Sequence, residues 1–239
     1  MNEVIKQLRE RKSVRVFEEK TVPQAVKDEL IASAFEAPTA GNMMLYTIID
    51  VTDEEIKHQL AVLCDNQPFI ATAPVVLVFL ADYQRWYDTF VAAGERPRKP
   101  GYGDLLLSCA DALIAAQNTV TAAHSLGLGS CYIGDIIENC ESVSELLALP
   151  EYTVPAAMLV YGYPTQQQLE RKKPVRFDKS HIVHTNVYRR MPPAELLDMY
   201  SETGTRESIH GFCERKYMSD FSLEMSRSAE KYLKRYSTP

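Results

Sequence analysis

A cluster of cations and a hydroxyl, Arg11-Lys12-Ser13-Val14-Arg15, stands close to the start of the chain. In an extended segment side chains alternate in direction, so Arg11, Ser13 and Arg15 would share one face while Lys12 and Val14 take the other. Two guanidinium groups beside a hydroxyl suit a terminal phosphate, because guanidinium binds phosphate through two hydrogen bonds and stays charged. The cluster is a candidate phosphate site, although the same residues alone are also typical of a solvated basic turn.

Three further segments have the composition of ligand-binding loops. Pro38-Thr39-Ala40-Gly41-Asn42 would let the backbone approach a ligand, and Asn42 offers both a donor and an acceptor. Asn66-Gln67 places amides beside Phe69, ahead of an apolar run, and Lys172-Lys173-Pro174-Val175-Arg176 is a second basic cluster. Each of these segments, taken alone, is also compatible with an ordinary surface loop.

The run Gly127-Leu128-Gly129-Ser130-Cys131-Tyr132-Ile133-Gly134 suggests a nucleotide-binding loop, but its context argues against two common kinds. A Rossmann fingerprint follows a strand and opens a helix, whereas this run follows a predicted helix and opens a predicted strand. A P-loop needs a lysine where Asp135 stands. We therefore predict a helix end at Gly127, then a strand, and at Gly134 a close approach of the backbone to a flat ligand.

No motif for a catalytic acid, base, nucleophile or metal stands out. His181 and His184 are three residues apart but lack a Glu or Cys at ligand spacing, which argues against a metal site. The sequence has no Gly-x-Ser-x-Gly motif and no cysteine in a recognisable nucleophile setting. Catalysis by paired carboxylates stays open, because nothing singles out a pair. Such chains often leave the chemistry to a cofactor, so no catalytic side chain is predicted.

The elements that must position these residues alternate between strands and helices of unequal length. The predicted strands, rich in apolar residues, are 46–51, 75–80, 131–133 and 154–161. Capping boxes predict three helix starts, at Thr21, Thr52 and Ser142. A long helix over 104–126, rich in alanine, is expected to pack closely on a neighbour, such as the same helix of a second subunit. The pattern favours an α+β sandwich with a charged, helical extension from about residue 192 onward.

Bulk composition argues against several classes of protein. The net charge of −6 leaves no basic surplus for a nucleic-acid duplex, and no apolar run approaches the roughly 20 residues of a membrane span. Five cysteines without CxxC spacing argue against a disulfide framework. The first residues lack the apolar core of a signal peptide. We therefore expect a soluble cytoplasmic protein without nucleic-acid or membrane partners.

In their order along the chain these segments resemble the nitroreductase family of FMN-dependent oxidoreductases, over roughly residues 1–190. The resemblance is closest to the NADPH-flavin oxidoreductase and oxygen-insensitive NADPH nitroreductase group. No single motif is specific, but the ordered set is. The matching motifs are Arg11-x-Ser13-x-Arg15, Ala37-Pro38-Thr39-Ala40-Gly41-Asn42, Asn66-Gln67, Ala73-Pro74, Gly127-Leu128-Gly129-x-x-Tyr132-Ile133-Gly134, Gly162-Tyr163-Pro164, Lys173-Pro174 and Arg176.

The resemblance implies a nitroreductase-like α/β sandwich of the α+β class, whose mainly antiparallel central sheet is covered by helices. Residues 1–190 would form the FMN-binding domain, and residues 191–239 a C-terminal helical extension of that domain. The resemblance also implies a homodimer with FMN in each of two interface clefts. The implied cofactor-binding residues are Arg11, Lys12, Ser13, Arg15, Thr39, Ala40, Asn42, Gln67, Tyr132, Ile133, Gly134, Lys173 and Arg176.

These residues have distinct implied roles. Arg11, Ser13 and Arg176, with Lys173 nearby, would hold the phosphate, and Arg15 would lie beside the pyrimidine side of the ring. A cation there favours the anionic reduced flavin and so tunes its chemistry. Gln67 would bond to the ribityl chain or the ring edge, and residues 132–134 would lie along the ring. The implied contribution of the other subunit is Thr39, Ala40 and Asn42.

The sequence departs from the family pattern at two places. Met44 stands where relatives commonly have Gln, and Lys173 and Arg176 are three residues apart where many relatives have them two apart. The wider spacing leaves open whether one or both reach the phosphate. In the extension, Arg206, Arg215 and Lys216 are candidates for binding the 2′-phosphate of NADPH.

The implied function is that of an enzyme that takes hydride from NAD(P)H, with NADPH favoured over NADH. It would pass two electrons through FMN to nitro compounds, quinones or free flavin in a ping-pong scheme. One alternative is a flavin-binding sensor or carrier without nicotinamide turnover. Another is a flavin enzyme that carries out dehalogenation or ring chemistry. The sequence does not name the physiological acceptor, because such sites accept flat molecules with little polar discrimination.

Overall fold

A computed structural model of the chain describes residues 2–203 and 207–237. The sheet within these residues consists of β1 (Tyr46–Asp50), β2 (Val75–Asp82), β3 (Gly129–Ile133) and β4 (Thr153–Gly162). The helices are α1 (Glu3–Glu10), α2 (Gln24–Phe35), α3 (Glu54–Leu63), α4 (Gln84–Ala92), α5 (Tyr102–Ser125), α6 (Cys140–Leu146), α7 (Gln166–Glu170), α8 (Lys179–Ile182), α9 (Pro193–Glu202), α10 (Ile209–Lys216) and α11 (Asp220–Lys234). The four predicted strands are confirmed, with ends that differ by one or two residues.

The sheet is antiparallel throughout, in the order β1-β2-β4-β3. Alternate residues of its central strands face two different layers of helices, as the pleat requires. Leu77 and Phe79 face a core shared with α2 and α5. Val76 and Val78 face a second core shared with α3 and α6. Because both faces are covered, all of β2 is buried, and its sequence is apolar from Val75 to Ala81. The predicted α+β sandwich is confirmed.

The three predicted capping residues are wrong: Thr21, Thr52 and Ser142. Helix α3 is capped by Asp53, whose Oδ1 accepts a hydrogen bond of 2.9 Å from the backbone N–H of Ile56. Helices α2 and α6 follow Pro23 and Asn139 and have no side-chain cap. At α3 the aspartate next to Thr52 caps the helix instead, because a carboxylate accepts a hydrogen bond from a backbone N–H at least as well as a threonine hydroxyl does.

Helix α5 packs its alanine-rich face on the sheet of its own chain and on α2, so Ala112, Ala115 and Ala116 are fully buried. The predicted close packing is confirmed for that face. The opposite face leaves Leu106 and Leu113 exposed, by 69% and 44%. By length and composition alone α5 would pass for a membrane span, with a mean hydropathy of 1.3 over 18 residues. This property was not predicted from the sequence, and here it belongs to a helix with one face packed on the sheet.

The chain divides into two compact units. The first, Met1–Glu170 with Glu224–Pro239, contains the sheet, and Tyr232 and Tyr236 near the end of the chain are buried in it. The second, Arg171–Leu223, contains α8, α9 and α10. The helical character predicted for the extension is confirmed, and the domain boundary predicted at residue 190 stays a prediction.

Candidate functional site

The basic segment, residues 11–15, lies beside β3. The backbone N–H of Val14 donates to the carbonyl of Ser130 at 2.9 Å, and Ser13 forms a parallel bridge with Ser130. The segment is therefore extended at this point, as predicted. Alternation then turns the side chains of Arg11 and Ser13 in one common direction.

A notch in the sheet seats this segment. Gly129 and Gly162 face each other across β3 and β4. A Cβ atom at Gly129 would lie 2.7 Å from the side chain of Val14, and one at Gly162 would lie 2.8 Å from the ring of Phe17. Both distances are well inside van der Waals contact. Glycine at both positions is what allows residues 14–17 to lie against the sheet.

Arg11, Ser13 and Arg15 all act on the thiol of Cys131. Burial raises the pKa of Cys131, and the charge of Arg15, a hydrogen bond with Ser13 and the charge of Arg11 oppose that rise. Burial likewise raises the pKa of Tyr132 to about 12, with Arg11 acting in the opposite direction. The three residues predicted to share a face therefore meet at β3.

The guanidinium of Arg11 has a donor that is not used. Its Nη1 atom is buried and makes no hydrogen bond within the part of the chain that the structure describes. A buried donor without a partner costs about 1–3 kcal/mol. Arg11 also lines a cavity of about 120 Å³ together with Gly129 and Ser130. A phosphate oxygen would satisfy this donor through a charge-assisted hydrogen bond, so the site fits the predicted anion.

Lys12 lies on the other side of the segment, as alternation predicts. Its Nζ donates to the carbonyl of Leu169 at 2.6 Å. The backbone N–H of Arg15 also contacts helix α7, donating to Oε1 of Gln168 at 3.4 Å. Lys12 thus anchors the segment to α7, and its contact with a phosphate stays a prediction.

Gln67 is joined to the end of β3 through Asp135. Its Nε2 donates to the carbonyl of Cys64 at 2.8 Å and to Oδ2 of Asp135 at 3.0 Å. Because both partners are acceptors, the amide nitrogen must face them, and the amide oxygen is left to accept from a bound group. Asp135 directly follows Gly134, so Gln67 lies next to the residues predicted to contact a flat ring.

Those ring-contact residues differ in what they can offer. Ile133 is 1% exposed and packs in the core, so only its backbone can reach a ligand. Tyr132 is half-buried, with its hydroxyl 3.4 Å from Oε1 of Gln117. A Cβ atom at Gly134 would meet nothing within 4 Å. The backbone at Gly134 is therefore open, as a close approach to a flat ligand requires.

The loop before β1, residues 39–45, carries the other predicted group and is held by Asp111 of α5. Asp111 is 3% exposed and accepts hydrogen bonds from Oγ1 of Thr39 at 2.5 Å, from the N–H of Ala40 at 3.1 Å and from the N–H of Leu45 at 3.1 Å. Three loop residues have positive φ: Gly41, Asn42 and Met44. A backbone so rich in left-handed residues needs such support, since the region is unfavourable for residues other than glycine.

This loop and the basic segment belong to opposite edges of the sheet. The loop leads into β1 and the segment lies beside β3, and three strand spacings separate these strands, roughly 14 Å. Within one chain the structure therefore does not bring Thr39, Ala40 and Asn42 to Arg11 and Ser13.

The remaining predicted residues lie in the second unit, apart from one that falls outside the described residues. Lys173 and Arg176 lie between α7 and α8 without regular structure, and their contact with a phosphate stays a prediction. Arg215 is paired with Glu207, through Nε at 3.0 Å and Nη2 at 2.6 Å. Arg206 lies outside the described residues. The role of these cations and of Lys216 toward a 2′-phosphate stays a prediction.

Two residues that shape the site were missed in the sequence. Asp111 carried a signal, because it is the one charged residue in the apolar stretch between Asp104 and His124. A lone carboxylate in such a stretch indicates a set of buried donors. Glu138, which is 4% exposed beside Asp135, carried no comparable signal, because a glutamate in a short connection between a strand and a helix is usually exposed.

Comparisons with known proteins cover most of the chain. The sequence model of the nitroreductase family matches residues 8–163. The chain is 33% identical to a Cr(VI) reductase of Pseudomonas sp. (strain G-1), over 92% of each protein. It is 33% identical to an oxygen-insensitive NADPH nitroreductase of Salmonella typhimurium, over 84% of this chain and 81% of the relative. The structure of the NADPH:FMN oxidoreductase from Vibrio harveyi complexed with NAD+ is similar with a TM-score of 0.83 at 25% identity, over 97% of this chain and 98% of that chain.

Proposed function

Because the chain belongs to the nitroreductase family, we propose that it is an FMN-dependent oxidoreductase that takes hydride from NAD(P)H, with NADPH favoured. Its acceptors are small, flat, electron-poor molecules: nitro compounds, quinones or free flavin. The observation that carries the proposal is the buried, unused Nη1 donor of Arg11 on a face shared with Ser13 and Arg15. The names of the relatives, a nitroreductase and an NADPH:FMN oxidoreductase among them, support the same chemistry.

The residues at β3 divide the work of holding FMN. Arg11 and Ser13 bind the phosphate, because a guanidinium and a hydroxyl both donate to phosphate oxygens. Gln67 accepts a hydrogen bond from the ribityl chain or the ring edge through its free amide oxygen. Arg15 places a positive charge beside the ring and favours the anionic reduced form. Once bound, FMN supplies the hydride-accepting N5 and the two-electron transfer that no side chain of this site provides.

A homodimer completes the site in this proposal. The loop that contains Thr39 and Asn42 belongs to the sheet edge opposite the basic segment, so a second copy of the chain has to supply it. The exposed face of α5 suits such an interface, because Leu106 and Leu113 lie on it beside the other exposed residues Leu107 and Ile114. We also assign the protein to the cytoplasm, since its cysteines are free thiols, which suits a reducing compartment.

Anaerobic stopped-flow reduction of the FMN-loaded protein, with NADH and NADPH in separate reactions, tests this function. We expect a yellow protein that bleaches within one turnover and does so faster with NADPH. Mixing the reduced protein with a nitroaromatic compound, a quinone or free FMN should then restore the yellow colour without a ternary complex. A protein that neither binds added FMN nor oxidises NADPH would contradict the proposal.

The alternative function, a flavin-binding sensor or carrier, predicts another outcome of the same experiment. Bound FMN would then stay oxidised with both nicotinamides, while a chemical reductant such as dithionite would still bleach it. FMN that is reduced but passes electrons poorly to nitro compounds and quinones would instead favour dehalogenation or ring chemistry.

A further inference from the structure

Two carboxyl groups, the half-buried Asp135 and the buried Glu138, adjoin Gln67. Asp135 and Glu138 lie in one short turn, where the backbone N–H of Glu138 donates to the carbonyl of Asp135 at 3.0 Å. The side chain of Glu138 is 4% exposed, and its Oε1 makes no hydrogen bond to any residue in the described ranges 2–203 and 207–237. Besides burial, the charge of Asp135 and a side-chain hydrogen bond with it both raise the pKa of Glu138. Two carboxyl groups can form such a bond only when they share a proton.

The surroundings of the pair favour keeping that proton. Burial, the adjacent Asp135, and the more distant carboxylates Asp65 and Glu224 raise the pKa of Glu138 to about 7. Asp65 follows the end of α3, and Glu224 belongs to α11. Glu224 is bound to the nearby cation Arg227 at 2.7 Å. The neutral form of Glu138 therefore predominates below neutral pH.

Resting on the proposed function, we propose that Glu138 is a positioning residue that acts through Asp135 on Gln67 and so couples FMN binding to a protein-held proton. With the proton present, Glu138 donates to Asp135, and the remaining charge of Asp135 orients the amide of Gln67. When the proton leaves to solvent, two negative carboxylates adjoin in one short turn and repel each other. Asp135 then moves, and Gln67 loses one of the two acceptors that fix its oxygen toward the cofactor.

The second charge also acts on the flavin directly. Reduction of the flavin by hydride adds negative charge, and an additional carboxylate near the ring opposes it. The protonated pair thus stabilises the hydrogen bond between Gln67 and the oxidised flavin, and it also stabilises the negative charge of the reduced flavin. Loss of the proton weakens both.

The test is the dissociation constant of FMN, measured by flavin fluorescence from mildly acidic to mildly alkaline pH in wild type, Glu138→Gln and Glu145→Gln. Glutamine at 138 is permanently neutral and can still donate to Asp135. Glu145 is an exposed carboxylate on α6 and gives the matched control. The phosphate of FMN titrates near pH 6 as well, about equally in all three proteins, so the ratio of Glu138→Gln to wild type isolates Glu138.

We expect the wild-type constant to rise about tenfold relative to that of Glu138→Gln across neutral pH, since one unit of pKa shift on binding corresponds to a factor of ten. Glu145→Gln should follow the wild type. A merely structural role would weaken FMN binding of Glu138→Gln equally at every pH, and such parallel curves would overturn the proposal.

Infrared difference spectra of the FMN-free protein give an independent readout. Wild type and Glu145→Gln should show a protonated carboxyl band that disappears above neutral pH, and Glu138→Gln should lack it. A band that persists in Glu138→Gln would overturn the assignment of the proton. If wild type bound no FMN at any pH, the proposed function would fail and the coupling with it, whereas the infrared band would still report the shared proton.

Discussion

Removing the carboxylate of Asp111 should unravel a loop that lies far from it in sequence. Asp111 is buried and accepts from the hydroxyl of Thr39 and from the backbone N–H groups of Ala40 and Leu45. Thr39 in turn accepts from the N–H of Met44 at 2.8 Å, so the loop is tied together through one side chain. Asp111→Ala takes away every acceptor at once and leaves one buried and two half-buried donors without it.

The magnitude follows from the number of donors. Each buried donor left without a partner costs about 1–3 kcal/mol, and the lower half of that range applies where water can enter. Three donors therefore give a loss of about 3–6 kcal/mol in the free energy of unfolding. For a chain of this length that corresponds to a fall in Tm of roughly 10 °C. Asp111→Asn keeps one acceptor oxygen, and we expect about half of this loss.

Chemical denaturation followed by circular dichroism measures the stability, and flavin fluorescence measures FMN binding in the same variants. Asp88→Ala is the control, because Asp88 is exposed and accepts one hydrogen bond, from Gln84 at 2.9 Å. This control should change stability by no more than about 0.5 kcal/mol. In the proposed homodimer the loop completes the partner's site, so Asp111→Asn should also weaken FMN binding.

Two results would refute this reasoning in different ways. A loss in Asp111→Ala no larger than that of Asp88→Ala would mean that the hydrogen bonds to the loop contribute nothing to stability. A large loss of stability with unchanged FMN affinity in Asp111→Asn would separate the loop from the cofactor. The second result would remove Thr39, Ala40 and Asn42 from the site.

Three further predictions concern the basic segment and the carboxyl pair. Gly129→Ala should cost about 1–3 kcal/mol of stability and weaken FMN binding, because its Cβ would lie 2.7 Å from Val14. The control is Gly103→Ala, whose Cβ would meet nothing within 4 Å. It should be neutral or slightly stabilising in the same denaturation assay. Arg11→Ala should raise the dissociation constant of FMN by about 10–100-fold with a smaller effect on the rate of flavin reduction, and Arg15→Ala should do the opposite; equal losses in both properties would contradict the division of roles. Because the pKa of Glu138 is raised to about 7, the folded state binds more protons than the unfolded state from about pH 4.3 up to neutral pH. The free energy of unfolding should therefore fall with rising pH in that window, by up to about 3 kcal/mol. Glu138→Gln should lose that slope.

The alternation of side-chain directions along short segments was enough to predict a large part of this site. The strands, the helical end at Gly127 and the common face of Arg11 and Ser13 all depend on neighbours in sequence, and the structure has them as expected. Gly127 has a φ of 78°, the left-handed conformation that ends a helix. Such features need no knowledge of the sheet order.

Features that depend on the sheet order could not be predicted in this way. The position of Asp111 under the loop requires that α5 pack on β1 and β2, which no local pattern states. The carboxyl pair likewise needs α3 and α11 to bring Asp65 and Glu224 toward Glu138. The helix-cap predictions were wrong for a different reason. Asp53 and Thr52 compete for the same backbone N–H groups, and the two caps differ little in the free energy that they contribute.

The glycine notch also sets the order in which the protein can be completed during synthesis. The basic segment leaves the ribosome first, but its seat is built from Gly129 and Gly162, which are made more than a hundred residues later. Closing that long loop is entropically costly, so the segment docks after the sheet has formed. The face that binds the cofactor is then among the last parts of the fold to form. A nascent chain that ends before about residue 162 has the charged residues of the site but lacks the sheet surface that aligns them.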